Sequence, residues 1–219
     1  TLSIEATYAI GLYGSLSSPN TYAIVHNGAV GYLGSGEIIL GQDYYAAITD
    51  FEVYRAGLEF SLTGLTGTIS AATLSLYGKT DFSNTDFNLT IVSGADLNNP
   101  LVDADYGNLL DDIISFGSLS SLGFVVEGWN TITLNAAGIA AIQAGIASSI
   151  IRFGLRSSRD ISDITPKQDG GDWPESIYLY DHTTVNKKPK LDITYAITTT
   201  KGNIIIDQTI YRRADRFIR

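Results

Sequence analysis

Apolar and polar residues alternate one by one in segment after segment of this 219-residue chain, and that period of two restricts its fold more than any other feature. In 53–62, Tyr54, Ala56, Leu58, Phe60 and Leu62 point one way while Arg55 and Glu59 point the other. In 69–77, Ala72, Leu74 and Leu76 fall inward, and the pattern recurs at Phe87, Leu89 and Ile91, at Ile151, Phe153 and Leu155, and at Leu191, Ile193, Tyr195 and Ile197. Successive side chains of a strand leave opposite faces, so each segment reads as a strand with one buried and one wet face. The punctuation agrees. His26-Asn27-Gly28-Ala29 puts Asn-Gly between two apolar runs, which predicts a tight hairpin. Gly64-Leu65-Thr66-Gly67 separates the strands on either side of it.

Two segments break the alternation. Residues 100–116 have room for a short helix within a long connection. Residues 136–147 predict one more firmly: Asn135 is a good N-cap, and Ile139, Ile142 and Ile146 share a helical face. Gly138 and Gly145 weaken that helix, so it has to lean on a sheet. Ten to twelve strands with one packed helix predict an all-β fold, an antiparallel two-sheet β-sandwich with jelly-roll topology. The β domain is expected to span 1–197, with Thr198 to Gly202 as a hinge into a tail that ends at Arg219.

Charge bears on partners. The formal net charge is -9, the opposite of a nucleic-acid binder's balance, so nucleic acid is not an expected partner. Residues 201–219 carry five of the 14 basic groups and two of the 23 acidic ones; the first 200 residues keep nine and 21, a net of -12. An acidic body with a basic tail suits a head-to-tail contact between copies of the chain. With no Cys, thiol catalysis, Cys-ligated zinc and disulfides are excluded. No apolar run approaches the ~20 residues of a membrane span.

The strand grammar has an ordered likeness. Arg55-Ala56-Gly57-Leu58-Glu59-Phe60-Ser61-Leu62, followed by Ile69-Ser70-Ala71-Ala72-Thr73-Leu74-Ser75-Leu76-Tyr77, resembles the opening of DNRLRE-type, disaggregatase-related domains. Gly128-Trp129-Asn130-Thr131-Ile132 resembles that family's central Trp. The strands 151–157 and 188–195 are similar to its last ones, so the likeness runs over roughly 20–197. It implies a jelly roll akin to carbohydrate-binding modules, found in secreted and surface proteins, with Trp129 in the core. It carries no catalytic residues over.

The chemistry-bearing residues are few. His26 and His182 lie far apart beside turn residues and read as surface histidines, without a nucleophile elbow, and a non-catalytic chain is expected. Asp160, Asp163, Asp169 and Asp172, with Glu175, crowd around Gly170-Gly171; hard oxygen ligands on a glycine loop suit structural calcium, and an acidic surface loop paired with Arg152, Arg156 and Arg159 is the plainer reading. In the same region Trp173, Tyr178 and Tyr180, with Arg156, offer planar rings and hydrogen-bond donors for a sugar; packing of Trp173 over a sheet edge is the alternative. In the tail, Ile204 and Ile206 lie in a strand-like run, and Arg212, Arg213, Arg216 and Arg219 follow as candidate grips on an acidic neighbour. Together these features predict a structural module on a cell or virion surface or in a filament or adhesive layer, joined to copies of itself or to neighbouring subunits. The alternative is an extracellular carbohydrate-binding module whose partner is a polysaccharide.

Overall fold

The computed structural model describes residues 1–14 and 19–197. Twelve strands are formed by the described residues: β1 (Leu2–Glu5), β2 (Tyr8–Gly14), β3 (Tyr32–Leu33), β4 (Ile38–Tyr45), β5 (Asp50–Ser61), β6 (Thr68–Asp81), β7 (Asn88–Ser93), β8 (Gly117–Ser120), β9 (Trp129–Thr133), β10 (Ile150–Ser157), β11 (Trp173–Leu179) and β12 (Lys190–Ala196). Four short helices join them: α1 (Tyr22–His26), α2 (Asp105–Asn108), α3 (Ala136–Gly145) and α4 (Ser158–Ile161). The chain is an all-β antiparallel sandwich, as the alternation predicts. Proposed assembly residues Ile204, Ile206, Arg212, Arg213, Arg216 and Arg219 lie outside the described residues.

One sheet runs β1-β12-β6-β9, and the other runs β11-β4-β5-β10-β7-β8, with β2 on the second edge of β5. They are continuous through β6, whose Thr68–Tyr77 stretch pairs with β12 and β9 while its Gly78–Asp81 end pairs with β11. Most neighbours in this order are distant in sequence, the crossover wiring of a jelly roll. The far side is stitched where Asn135 N–H donates to the Phe116 carbonyl at 2.7 Å, joining the entry to β8 with the end of β9.

Between the sheets lies the main core. It takes Ala56, Leu58 and Phe60 from β5, Leu74 and Leu76 from β6, Leu89 and Ile91 from β7, Phe153 and Leu155 from β10, and Leu191 and Ile193 from β12. These are the inward sets that the alternation marks. Ile142 of α3 seals one end, and the Asn135 side chain accepts from Ala137 and Gly138 N–H as the N-cap. The helix stops at Gly145, and Ile146–Ser148 tighten into a 3₁₀ turn, two residues short of the predicted end.

The second sheet departs from the expectation of one wet face. Its outer side is roofed by the 20–31, 95–112 and 158–164 connections, which bury Tyr22, Val25, Leu97, Leu101, Tyr106 and Leu109 against Leu12, Phe51, Val53 and Val92. The roof also explains why the Asn27-Gly28 hairpin is not formed. Tyr22 and Val25, three apart, reach this second cluster together on one helical turn, and Asn27 caps α1 with its amide on the Ala23 carbonyl.

Candidate functional site

Roofing the outer face buries the polar side chains that alternation sends there, and they are satisfied as a unit. Arg55 sits where β4 leaves β5 and β10 joins it: Tyr54 is the last partner of β4, and Ala56 the first of β10. Its Nε and Nη2 donate to the two carboxylate oxygens of Asp160 at 3.0 and 2.8 Å, and Nη1 and Nη2 reach the carbonyls of Tyr106 and His26. Arg156, at the end of β10, donates Nε to the same carboxylate at 2.6 Å and Nη1 to the carbonyls of Leu109, Leu110 and Asp112. The Ser157 hydroxyl accepts the Asp160 N–H as the N-cap of α4, which places the carboxylate between the two guanidinium groups. Burial pushes the Asp160 carboxyl up, but the two arginines outweigh it and hold the group at about 2.

This hub corrects four readings of the sequence. Arg55 is fully buried rather than wet, and so is Arg156, which removes it from any surface sugar site. His26 is buried too, its Nε2 lying 2.8 Å from the Asp160 carbonyl. Asp160 has no face left for solvent or a loop-bound calcium ion. The other acidic-loop residues are placed apart: Asp163 faces His26 at 3.4 Å, Asp169 pairs with Lys167 at 2.6 Å, and Asp172 accepts the Ala46 N–H. Among the described residues no group of three or more His, Cys, Asp or Glu side chains is gathered for a metal.

Nor are the proposed sugar-stacking rings together. Trp173 lies half-buried against the second cluster, its Nε1 donating to Thr85 Oγ1 at 3.1 Å. Tyr178 packs with Tyr13, Ile39 and Tyr54. Tyr180 belongs to a different group. The cause is a change of surroundings along β11, whose 173–175 end follows Gln42–Tyr44 into the roofed layer while Ile177 and Leu179 enter the main core with Leu40 and Ile38.

Tyr180 is part of an exposed cluster that sequence reasoning missed. Tyr77 and Trp129 face each other across β6 and β9 with rings 5.2 Å apart and nearly perpendicular, and the Tyr180 ring is 5.7 Å from Tyr77. Trp129, expected in the core, is 37% exposed. Asn130 and Ile132 take the inward positions of β9 and so turn Trp129, Thr131 and Thr133 outward. Lys187 stands 3.9 Å from the Tyr180 ring centroid and 4.7 Å from that of Tyr77, and it pairs with Glu127 at 2.8 Å. The Glu127 carboxylate and the Tyr180 hydroxyl both push the Lys187 ammonium up from its ordinary value. Lys190 lies 4.5 Å over the Trp129 ring. The Lys187-Lys188-Pro189-Lys190 run, basic within an acidic body, was the available signal.

Two buried carboxylate oxygens have no partner among the described residues, Glu175 Oε1 and, beside the hub, Asp112 Oδ2. Burial, and then Asp96, push the Asp112 carboxyl up to about 6 from 3.8. The folded state therefore binds more protons than the unfolded one between those values, and stability from this group falls as pH rises from about 4 to about 6. Asp112→Asn is expected to raise the thermal midpoint at pH 7 by roughly 1–2 °C, since partial exposure screens the penalty. At pH 4 the gain should vanish; a pH series of melts reads both.

No protein-family model matches the chain, and no curated protein matches its sequence. The class that the fold defines is the all-β sandwich.

Proposed function

We propose that this chain is a non-catalytic structural module of an extracellular or virion-surface assembly, joined to its neighbours edge to edge. The observation that supports it is β1. It ends the strand order of the first sheet, and among the described residues its only ladder partner is β12. An edge strand presents a row of backbone donors and acceptors to any extended segment of another chain. A strand-like run such as 203–210, followed by four arginines, has the pattern and the charge to add there against an acidic body. A head-to-tail contact of this kind propagates into rings or filaments.

Light scattering and electron microscopy of the purified full chain test the reading. Particles larger than a monomer are expected, and they should fall to monomers when 198–219 is deleted. Ser3→Lys, which places a cation on the exposed side of β1, should do the same by repelling the basic segment. A full chain that stays monomeric, or assemblies indifferent to both changes, would remove edge assembly from consideration.

A further inference from the structure

One flank of α3 borders a surface hollow that no neighbouring element fills among the described residues. It measures about 420 Å³, and its lining includes Ala141 and Ala144 of α3, Gly94 and Ala95 after β7, Phe116 before β8, and Arg152 of β10. That volume lies within the range of ligand pockets. The space exists because α3 turns alanines, and β7 ends in small residues, where two longer side chains would meet. Arg152 is the one charged group in the lining, and its Nε already donates to Glu59 at 2.8 Å. The hollow therefore suits an apolar occupant better than an anion.

The chain itself supplies an occupant of fitting reach and charge. β12 ends beside α3: a Cβ on Gly67 would meet the Ile197 Cα at 3.2 Å, and Gln143 of α3 donates to the Gly67 carbonyl at 3.0 Å. Gln143 and Ala144 leave different flanks of the helix, so about one helix width, roughly 10 Å, separates Ile197 from the hollow. Ile204 lies seven residues beyond Ile197, an extended reach of about 23 Å that crosses this width with slack. In an extended segment Ile204 and Ile206 share one face. Beyond the hollow the surface turns acidic. Asp96 follows Ala95, and after burial Asp96 and Asp111 add to the rise of the Asp112 carboxyl, so the three stand together. Asp96 and Asp111 are exposed and have no ion-pair partner among the described residues. An apolar hollow with an acidic rim matches Ile204-Ile205-Ile206 followed by Arg212-Arg213. We propose that in the free subunit residues 204–213 dock on their own domain, with Ile204 and Ile206 in the α3 hollow and Arg212 and Arg213 on Asp96 and Asp111. The same segment is the one offered to β1 of a neighbour, so on that reading assembly has to release it first.

Paramagnetic broadening in the full-length Ser3→Lys chain, which edge assembly does not recruit, tests the docking. The chain has no Cys, so a nitroxide on Ala147→Cys, exposed on α3 beside the hollow, is the single label. Amides of 203–207 should broaden within the labelled molecule and stay sharp when labelled chain is mixed with isotope-enriched chain that carries no nitroxide. Trypsin cleavage after Arg212 and Arg213 is a second readout, since it follows the undocked population. Ala144→Trp fills the hollow from an exposed position and should speed that cleavage by about tenfold or more, as losing one buried isoleucine does. Ile204→Asp with Ile206→Asp should act alike and carries the test should Ala144→Trp fail to fold. Asp96→Asn with Asp111→Asn should speed cleavage severalfold at low salt and less at high salt.

Sharp 203–207 amides in the labelled molecule would overturn the proposal, and so would cleavage rates unmoved by both the hollow and the tail variants. Broadening seen only in the mixture would give the hollow to the tail of a second copy and overturn it as well. Docking and edge assembly fail separately. Particles of the native chain without broadening in Ser3→Lys sink the docking alone, whereas broadening in a chain that never forms particles sinks edge assembly alone. With both in place, Ala144→Trp should lower the concentration at which particles form by the same factor that it speeds cleavage.

Discussion

Asp160→Ala is expected to lower the thermal midpoint by roughly 10 °C or to prevent folding at ordinary expression temperatures. The carboxylate is the single anion between two guanidinium groups that have no exposed surface of their own. Breaking a buried ion pair by removing one partner typically costs about 3–5 kcal/mol, because an uncompensated charge stays in a low-dielectric site. Here two are left. For a chain of this size each kcal/mol moves the midpoint by about 2–4 °C. The loss should also spread. Arg55 and Arg156 hold the carbonyls of His26, Tyr106, Leu109, Leu110 and Asp112, so the roof over β5 and β10 loses its anchors together. Hydrogen exchange in 20–31 and 105–112 should rise ahead of exchange in the core strands. A melt within 2–3 °C of the parent would show that the hub is not what fastens the roof.

The same carboxylate sets an acid limit. Its folded value, about 2, lies below the ordinary 3.8, so the stability it contributes is fully present above pH 4 and is lost as pH falls toward 2. Asp43 works in the other direction. Burial raises its carboxyl, and hydrogen bonds from Ser176, the Glu175 N–H and Tyr54 offset only part of that. Replacing all three members, Arg55→Met, Arg156→Met and Asp160→Leu, should recover much of the stability that Asp160→Ala loses, and it should remove the acid step between pH 4 and 2. Well-packed apolar substitutes for buried ionic triads are often neutral or better.

How far the sequence could be read depends on whether a residue's surroundings are local. Ala56, Leu58 and Phe60 announce their core position through their own alternation, and the main core confirms them. Arg55 follows the same alternation outward, but what covers it comes from residues 22–26, 101–109 and 160, and no local pattern encodes that roof. His26 reads as a surface residue for the same reason: its cover comes from Asp160, distant in sequence. Trp129 is the opposite case: the alternation of Asn130 and Ile132 already turned it outward, and family likeness argued against a signal present in five residues. The proposed sugar set failed by equating closeness in sequence with closeness in space. Trp173, Tyr178 and Tyr180 fall within eight residues yet sit in three different surroundings. The cluster at Trp129 instead draws on 77, 129, 180, 187 and 190, positions far apart in sequence that the pairing of β6 with β9, β11 and β12 brings to one face.

Gly41→Ala should be as damaging as the loss of Asp160, for a reason that is steric rather than electrostatic. Gly41 lies inside β4 with φ 124°, a conformation that L side chains rarely adopt, and a Cβ there would sit 2.1 Å from the Glu175 carbonyl oxygen. That oxygen is backbone of the neighbouring β11, paired in register through Ser176 and Gly41, so it cannot rotate away. The position is also the handover between the two layers. Ile38 and Leu40 lie in the main core, and Tyr44, on the same alternation, lies in the roofed cluster. Forcing β4 from β11 would disturb Glu175, whose buried carboxylate holds Arg159 at 2.6 Å and Gln42 at 3.0 Å. Gly64 isolates the steric part. Its φ of 80° is also positive, but a Cβ there meets nothing within 4 Å, so Gly64→Ala should cost only about 1 kcal/mol from backbone strain. Gly41→Ala is expected to cost about 3 kcal/mol or more, with the midpoint falling by roughly 10 °C, through the same strain plus the displaced strand. Paired melts of the two variants decide the matter: equal shifts would mean that the two strands move apart at Gly41 without cost, and that the handover is not fixed there.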